Sequence, residues 1–192
     1  MRAAVIHPPH RLVVEDVALD PAGPRSVTVR VRRGGICGSD LHYYHHGGFG
    51  TVRVSMPMVL GHEIAGVVVA VGPDVRDLAV GDHVVGSLIQ FCGHCTPCLS
   101  GRTYQCANPQ ETERAADLGH RVSRDSDGAA VYPAWGTGGF AEQTLMHENQ
   151  LVRVPKELPF PQASLLGCGV ITGAGAAVNS AKVRPGESVA II

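Results

Sequence analysis

Four cysteines crowd into the run Cys92-Gly-His-Cys95-Thr-Pro-Cys98-Leu-Ser-Gly-Arg-Thr-Tyr-Gln-Cys106. Thiolates at that spacing can close around one tetrahedral ion, and a shell of four sulfurs leaves no position for a substrate. The first reading is therefore a structural zinc lobe. An iron–sulfur cluster fits less well, because its bacterial pattern places a proline directly after the last cysteine, whereas Ala107 follows Cys106 here. Free structural thiols are the other reading. His94, inside the loop, reads as a solvent-facing turn residue.

A second set is split along the chain. Cys37-Gly-Ser-Asp-Leu-His42 ends a strand-like run from Val27 to Ile36, and Gly61-His-Glu-Ile-Ala-Gly66 follows the apolar Met58-Val59-Leu60. A Cys and a His at adjoining strand ends could face one ion. Taken singly, His62 reads as a satisfied core histidine and Cys168, in Leu165-Leu-Gly-Cys168-Gly-Val-Ile-Thr-Gly, as a small buried hydrophobe.

The elements that must position these residues show mainly period-two patterning as far as Arg153, clearest where Val27, Val29 and Val31 alternate with Thr28, Arg30 and Arg32. Residues 67–71 and 83–86 are further strand candidates, set off by Gly72-Pro73 and Gly81-Asp82 turns. With Gly 24 and Pro 13 in 192 residues, many short strands in a barrel or sandwich are expected and a long helical bundle is excluded. One short helix fits Ser39 to His46, with Ser39 as N-cap and Gly47 past its end. Ala107 to Gly138 is polar and reads as a surface excursion. Phe160 to Cys168 and Thr172 to Ala181 read as two short helices. Arg184-Pro-Gly-Glu187 reads as a turn, and Ser188 to Ile192 as the start of a buried parallel strand.

Charge is balanced, with 16 Lys+Arg against 17 Asp+Glu and only Lys156 and Lys182 as lysines. That gives no footprint for nucleic acid or an anionic membrane. No stretch is read as reaching the ~18 apolar residues of a membrane span, and the N-terminus has no signal-peptide pattern, so a cytoplasmic protein with small-molecule partners is expected. In that compartment cysteines serve as metal ligands or reactive thiols before disulfides.

Taken in order, Cys37-Gly-Ser-Asp-Leu-His42, Gly61-His-Glu-Ile-Ala-Gly66, the four-cysteine lobe and Gly167-Cys168-Gly169 resemble the zinc-dependent medium-chain alcohol dehydrogenase family over essentially residues 1–192. The resemblance implies a mainly β fold with some α. Residues 1–158 would form a GroES-like barrel, the catalytic domain with its structural zinc lobe. Residues 159–192 would be the first helices and strand of a truncated Rossmann domain that binds NAD or NADP. It implies a catalytic zinc on Cys37, His62 and Cys168, a structural zinc on Cys92, Cys95, Cys98 and Cys106, and hence two zinc ions per chain. Family alcohol dehydrogenases hold their catalytic ion with this Cys₂His set. Ser39 would accept the substrate proton and pass it to His42, a helix N-cap being its plainer role. Asp40 would orient the imidazole of His62. Glu63 would be a carboxylate near the metal, or one half of a buried ion pair.

The reaction so implied interconverts an alcohol and an aldehyde or ketone by hydride transfer to NAD(P), in a homo-oligomer. The spacer holding Gly47-Gly-Phe-Gly-Thr-Val52 resembles polyol dehydrogenases, whereas Cys168 stands where those enzymes commonly carry Glu and resembles the simple and aromatic alcohol branch. Gly38 stands where some relatives carry a basic residue that meets the coenzyme pyrophosphate. Relatives continue from the final strand into a Gly-x-Gly-x-x-Gly loop. The expectation is thus that activity belongs to a full-length form and not to these 192 residues alone. The alternative is a non-catalytic zinc-binding fragment or interaction module. His45, His46, His120 and His147 match no motif position and read as surface residues; Tyr43, Tyr44 and Phe49 either line a substrate pocket or pack structurally.

Overall fold

The structure, a computed structural model, describes residues 1–8, 11–21, 23–54, 57–112 and 121–191. Its elements in chain order are β1 (Arg2–His7), β2 (Arg11–Leu19), β3 (Ser26–Gly35), α1 (Gly38–His46), β4 (Gly48–Phe49), β5 (Val52–Arg53), β6 (Met58–Val59), β7 (Glu63–Val71), β8 (His83–Gly86), α2 (Thr96–Leu99), β9 (Val122–Arg124), β10 (Ala130–Pro133), β11 (Gln143–His147) and β12 (Leu151–Arg153). Alternation in sequence becomes alternation of faces. Val27 and Val29 are fully buried, whereas Thr28 between them and Arg30 after them are not.

Strands β1, β2, β9, β10 and β6 close a barrel, and β11, β3, β7, β8 and β12 form a five-stranded sheet. Val5, Val17, Val59, Val122 and Val131 fill the barrel, while Val27, Val29, Ile64, Val68, Val84 and Met146 pack the sheet. Burial of each such side chain contributes about 1.5–3 kcal/mol before the entropy of ordering it is subtracted. The mainly β barrel with some helix is therefore the observed fold.

Four local expectations are corrected. The segment read as a polar excursion contributes β9 and β10 to the barrel; each buries a single valine, Val122 or Val131, too little alternation to stand out among charged neighbours. Residues 113–120, His120 among them, lie outside the described residues. The two short helices are one helical run, Phe160–Ser180, in which Val170 N–H bonds the Leu165 carbonyl at 3.0 Å and Ala181 N–H the Ala176 carbonyl at 2.9 Å. Bonds of that i→i−5 register are wide π-type turns, so the glycines are absorbed inside the helix instead of ending it. By length and composition this run is long and apolar enough to cross a membrane, contrary to the sequence reading. Finally, residues 188–191 form no strand, and Val189 and Ile191 are exposed. A parallel strand needs paired, covered neighbours, and none of the described residues pairs with this segment; Ile192 lies outside them.

The turn at Arg184–Glu187 forms as expected, with Glu187 N–H on the Arg184 carbonyl at 3.1 Å. The first turn of the Phe160–Ser180 helix buries Ala163 against Ala65 and Val85. Beyond it Leu165, Val170, Ile171 and Val178 are exposed.

Candidate metal centre

Gly35, the last residue of β3, pairs with Glu63, the first of β7. Cys37 and His62, just outside those strand ends, are therefore neighbours. Cys37, and not Ser39, is the N-cap of α1, which places Ser39 in the first turn and Asp40 at the third helical position. The buried Asp40 carboxylate accepts the Cys37 N–H through Oδ2 at 2.9 Å and the Gly61 N–H through Oδ1 at 3.2 Å. One side chain thereby ties the start of the helix to the entry of β7. Gly61 is left-handed with φ 88°, and a Cβ there would overlap the Phe140 ring and stand 2.8 Å from the Phe140 backbone nitrogen. Gly47 closes α1, its N–H on the Tyr43 carbonyl at 3.0 Å.

Cys168 comes from the far end of the chain, on the first wide turn of the Phe160–Ser180 helix. A Cβ on Gly167 would overlap the Gly86 carbonyl, so only glycine lets the helix lie against the end of β8. The Cys37 and Cys168 sulfurs are 4.0 Å apart. Each of Cys37, His62, Glu63 and Cys168 offers a ligand atom within 4.8 Å of the others. Among the described residues Glu63 has no ion-pair partner. Burial pushes the Cys168 thiol up to about 12, with Cys37 and Glu63 adding to it. Burial also raises Cys37, but bonds from Ser39 and the proximity of His62 outweigh it and lower that thiol. For His62, burial disfavours the charged ring, yet Asp40 and Cys37 raise it overall.

Asp40 Oδ1 lies 3.7 Å from His62 Nδ1, beyond hydrogen-bond distance. Ser39 is half-buried, and His42 is exposed one turn along the same helical face, its ring centroid 5.3 Å from that of Phe49. Tyr43 is core, packed with Ile6, Met58 and Leu60; Tyr44 and Phe49 are exposed. His45 and His46 are on the surface as expected, but His147 is buried, 7% exposed, with Nδ1 accepting the Asn149 N–H at 3.1 Å. It ends a strand covered on both faces, a tertiary effect with no local sequence mark.

The four lobe sulfurs also converge. Cys95 to Cys98 is 3.4 Å, Cys95 to Cys106 3.9 Å and Cys92 to Cys98 4.0 Å. Sulfurs at the corners of a zinc tetrahedron with ~2.3 Å bonds stand about 3.8 Å apart, so both this set and the Cys37–Cys168 pair suit such an ion. Backbone amides already point at the sulfurs: Cys92 N–H at 3.2 Å and Asn108 N–H at 3.3 Å reach Cys106 Sγ. Amides of Ala107 and Cys98 lower Cys95 to about 6, whereas burial raises Cys98 to about 12. His94 is 64% exposed and pairs with Glu111 at 2.6 Å, which agrees with a turn residue.

Sequence reasoning missed the segment from Ala134 to Thr137. Its Thr137 Oγ1 lies 2.9 Å from the Gly61 carbonyl, and the Trp135 ring stands 4.9 Å from that of His62. The signal available was that Trp135 is the chain's one tryptophan.

Residues 23–156 match the family model of the alcohol dehydrogenase GroES-like domain. Alcohol dehydrogenase B of Mycobacterium tuberculosis is 37% identical over 183 residues, covering 93% of this chain and 47% of that protein. An alcohol dehydrogenase zinc-binding domain protein from Burkholderia ambifaria superposes with TM-score 0.84 at 36% identity, and benzyl alcohol dehydrogenase from Acinetobacter calcoaceticus with 0.80 at 32%. Both structures cover 97% of this chain, which in turn covers 50% of each. The chain thus spans about half the length of the relatives it matches. Match, barrel and ordered motifs agree: this chain belongs to the zinc-dependent medium-chain alcohol dehydrogenase family.

Proposed function

We propose that this chain supplies the catalytic zinc domain of an enzyme that interconverts an alcohol and an aldehyde or ketone by hydride exchange with NAD or NADP. Residues 1–158 are its GroES-like domain and 159–192 the start of its dinucleotide-binding domain. The observation that carries the reading is the meeting of Cys37, His62 and Cys168, from three separate motifs, with the two sulfurs 4.0 Å apart. These three hold the catalytic zinc, and Cys92, Cys95, Cys98 and Cys106 hold the structural one.

Zinc at the first set supplies the Lewis acidity, and the nicotinamide the hydride acceptor, that alcohol oxidation requires. The chain's own residues do the rest. Ser39 Oγ accepts the hydroxyl proton, and the exposed His42, on the same helical face, hands it to solvent. Asp40 fixes the backbone beside two ligands. Glu63, buried among them, is an alternative ligand. Cys168, together with the likeness to a benzyl alcohol dehydrogenase, favours simple or aromatic alcohols over polyols. The full-length form is a cytoplasmic homo-oligomer in this reading.

Metal analysis of the purified chain should find two zinc ions, and one after Cys37, His62 and Cys168 are all changed to Ala. No zinc in the unmodified chain refutes the scheme. In a protein of the relatives' full length, Cys37→Ala should leave a folded, NAD(H)-binding and inactive protein; normal turnover would overturn the catalytic assignment.

A second reading, a non-catalytic zinc-binding interaction module, draws on the apolar side chains left exposed along Phe160–Ser180. Reading the frame past Ile192 separates the two: a Gly-x-Gly-x-x-Gly followed by a helix supports the enzyme.

A further inference from the structure

His42 and His46 stand four residues apart on α1, a spacing that puts two side chains on one face of a helix. Their rings are neighbours, with centroids 5.6 Å apart and planes at 41°, and both residues are exposed. Imidazole is the commonest metal-ligating side chain, and each neutral ring offers one nitrogen lone pair. Two rings on one ion, with bonds of ~2.0–2.1 Å and a tetrahedral angle, have centroids about 5 Å apart. The pair on α1 reaches that separation by small rotations, which exposed side chains make within nanoseconds.

Three further features favour a cation here. The backbone under the pair is fixed: Asp40 holds the start of α1 through the Cys37 and Gly61 amides, Tyr43 is buried against Ile6, Met58 and Leu60, and left-handed Gly47 closes the helix. Ligands on such a platform lose less freedom when an ion binds. The His42 ring is also bounded by Phe49, which meets it edge-on at 5.3 Å. Finally, His46 is the last residue of α1, at the negative end of the helix dipole, where positive charge is stabilised. His45 stands apart from the pair, its ring against Tyr44 at 5.0 Å and 6.2 Å from that of His46.

We propose that His42 and His46 form a two-histidine site for a divalent transition-metal ion such as Zn²⁺ or Ni²⁺, separate from the two cysteine sets, and that an ion there blocks proton release through His42. Water fills its other coordination positions. The second half rests on the reading of His42 as the residue that hands the substrate proton to solvent. For that task the ring must accept a proton on a free lone pair. A ring bound to an ion has that lone pair in the metal bond and a proton on its other nitrogen, so it accepts none.

The test titrates Ni²⁺ into the zinc-loaded chain, with binding read by calorimetry and by paramagnetic broadening of the histidine ring signals. The wild type should bind one Ni²⁺ and broaden His42 and His46 first. His46→Gln should bind about a hundredfold more weakly, at the low end of the ~10²–10⁴-fold gain from linking two binding groups. His45→Gln should bind as the wild type does. Both positions are exposed, so the variants keep the fold. Wild-type affinity in His46→Gln, or an equal loss in His45→Gln, overturns the site. In a protein of the relatives' full length, Ni²⁺ that fills the site should lower turnover about tenfold, less than the whole ~10²–10⁴-fold of acid–base catalysis because water replaces part of the relay. His46→Gln, as active as the wild type without Ni²⁺, should need about a hundredfold more Ni²⁺ for the same loss. Equal inhibition of the two proteins overturns the second half of the proposal. Undiminished turnover in metal-free His42→Gln removes the reading of His42 as proton carrier, and that second half with it, while the binding measured on the chain still decides the site.

Discussion

Asp40 shows how little a side chain's type says about which of its atoms matter. Its carboxylate is spent on two backbone amides, Cys37 and Gly61. Asp40→Ala leaves both N–H groups without an acceptor, at a cost of about 1–3 kcal/mol each where they stay dry. The urea midpoint should fall accordingly, and Asp40→Asn, which keeps one acceptor oxygen, should lose about half as much; an unchanged midpoint in Asp40→Ala would show that water replaces the carboxylate. His147 makes a different prediction. Burial lowers it to about 4, Arg25 and Arg121 add to that, and Glu148 opposes them. Between the ordinary ~6.5 and about 4 the unfolded chain binds a proton that the folded ring refuses, so stability is full above pH 6.5 and falls as pH drops toward 4, by up to about 3 kcal/mol. In His147→Asn, whose side-chain oxygen can still accept the Asn149 N–H, urea midpoints across that range should flatten. Equal slopes in the two proteins would exclude His147 as their source. The motif residues were legible because chemistry restricts their types and order. The burial of His147 was not, because strand β11 is covered on both faces and its polar end looks like surface.

Elements bring distant motifs together, and here a helix does so by touching a strand end. Phe160–Ser180 delivers Cys168 because Gly167 lies directly on the Gly86 carbonyl of β8. Gly167→Ala must push the helix outward. Overpacking of this kind costs about 1–3 kcal/mol, but the larger effect is on the site: Cys168 withdraws from Cys37 while the lobe is untouched. Metal analysis of Gly167→Ala should find the lobe ion at full occupancy and the other depleted; two full sites would show that the helix can yield without moving its cysteine. The period-two strands could be read from the chain because each buries several alternating valines, as Val27 and Val29 do in β3. β9 and β10 could not, since a three- or four-residue strand that buries one valine carries almost no periodicity. In the sequence pattern the glycines break the helix in two; in the structure the wide turns accommodate them.

Over the whole molecule, the two metal sets stand in different relations to the core. The barrel and sheet have apolar clusters of their own, and the Cys37, His62 and Cys168 site sits at the paired ends of β3 and β7 in the sheet. The lobe does not share in them: none of the apolar clusters takes a residue from positions 92–106. Its regular structure is the four-residue α2 and a single 3₁₀ turn. Segments this short are unstable alone, so the order of the lobe must come from the ion that its sulfurs can share, whose binding energy is then folding energy. Removal of metal with a chelator should therefore melt the lobe locally. Hydrogen exchange should accelerate across residues 92–106 while amides of β3 and β7, anchored by Val27, Val29, Ile64 and Val68, keep their protection. Cys98→Ala should reproduce that pattern without chelator. Loss of protection throughout the sheet would mean that the barrel depends on the lobe, and unchanged exchange in 92–106 would mean that the four thiols are structural without any ion.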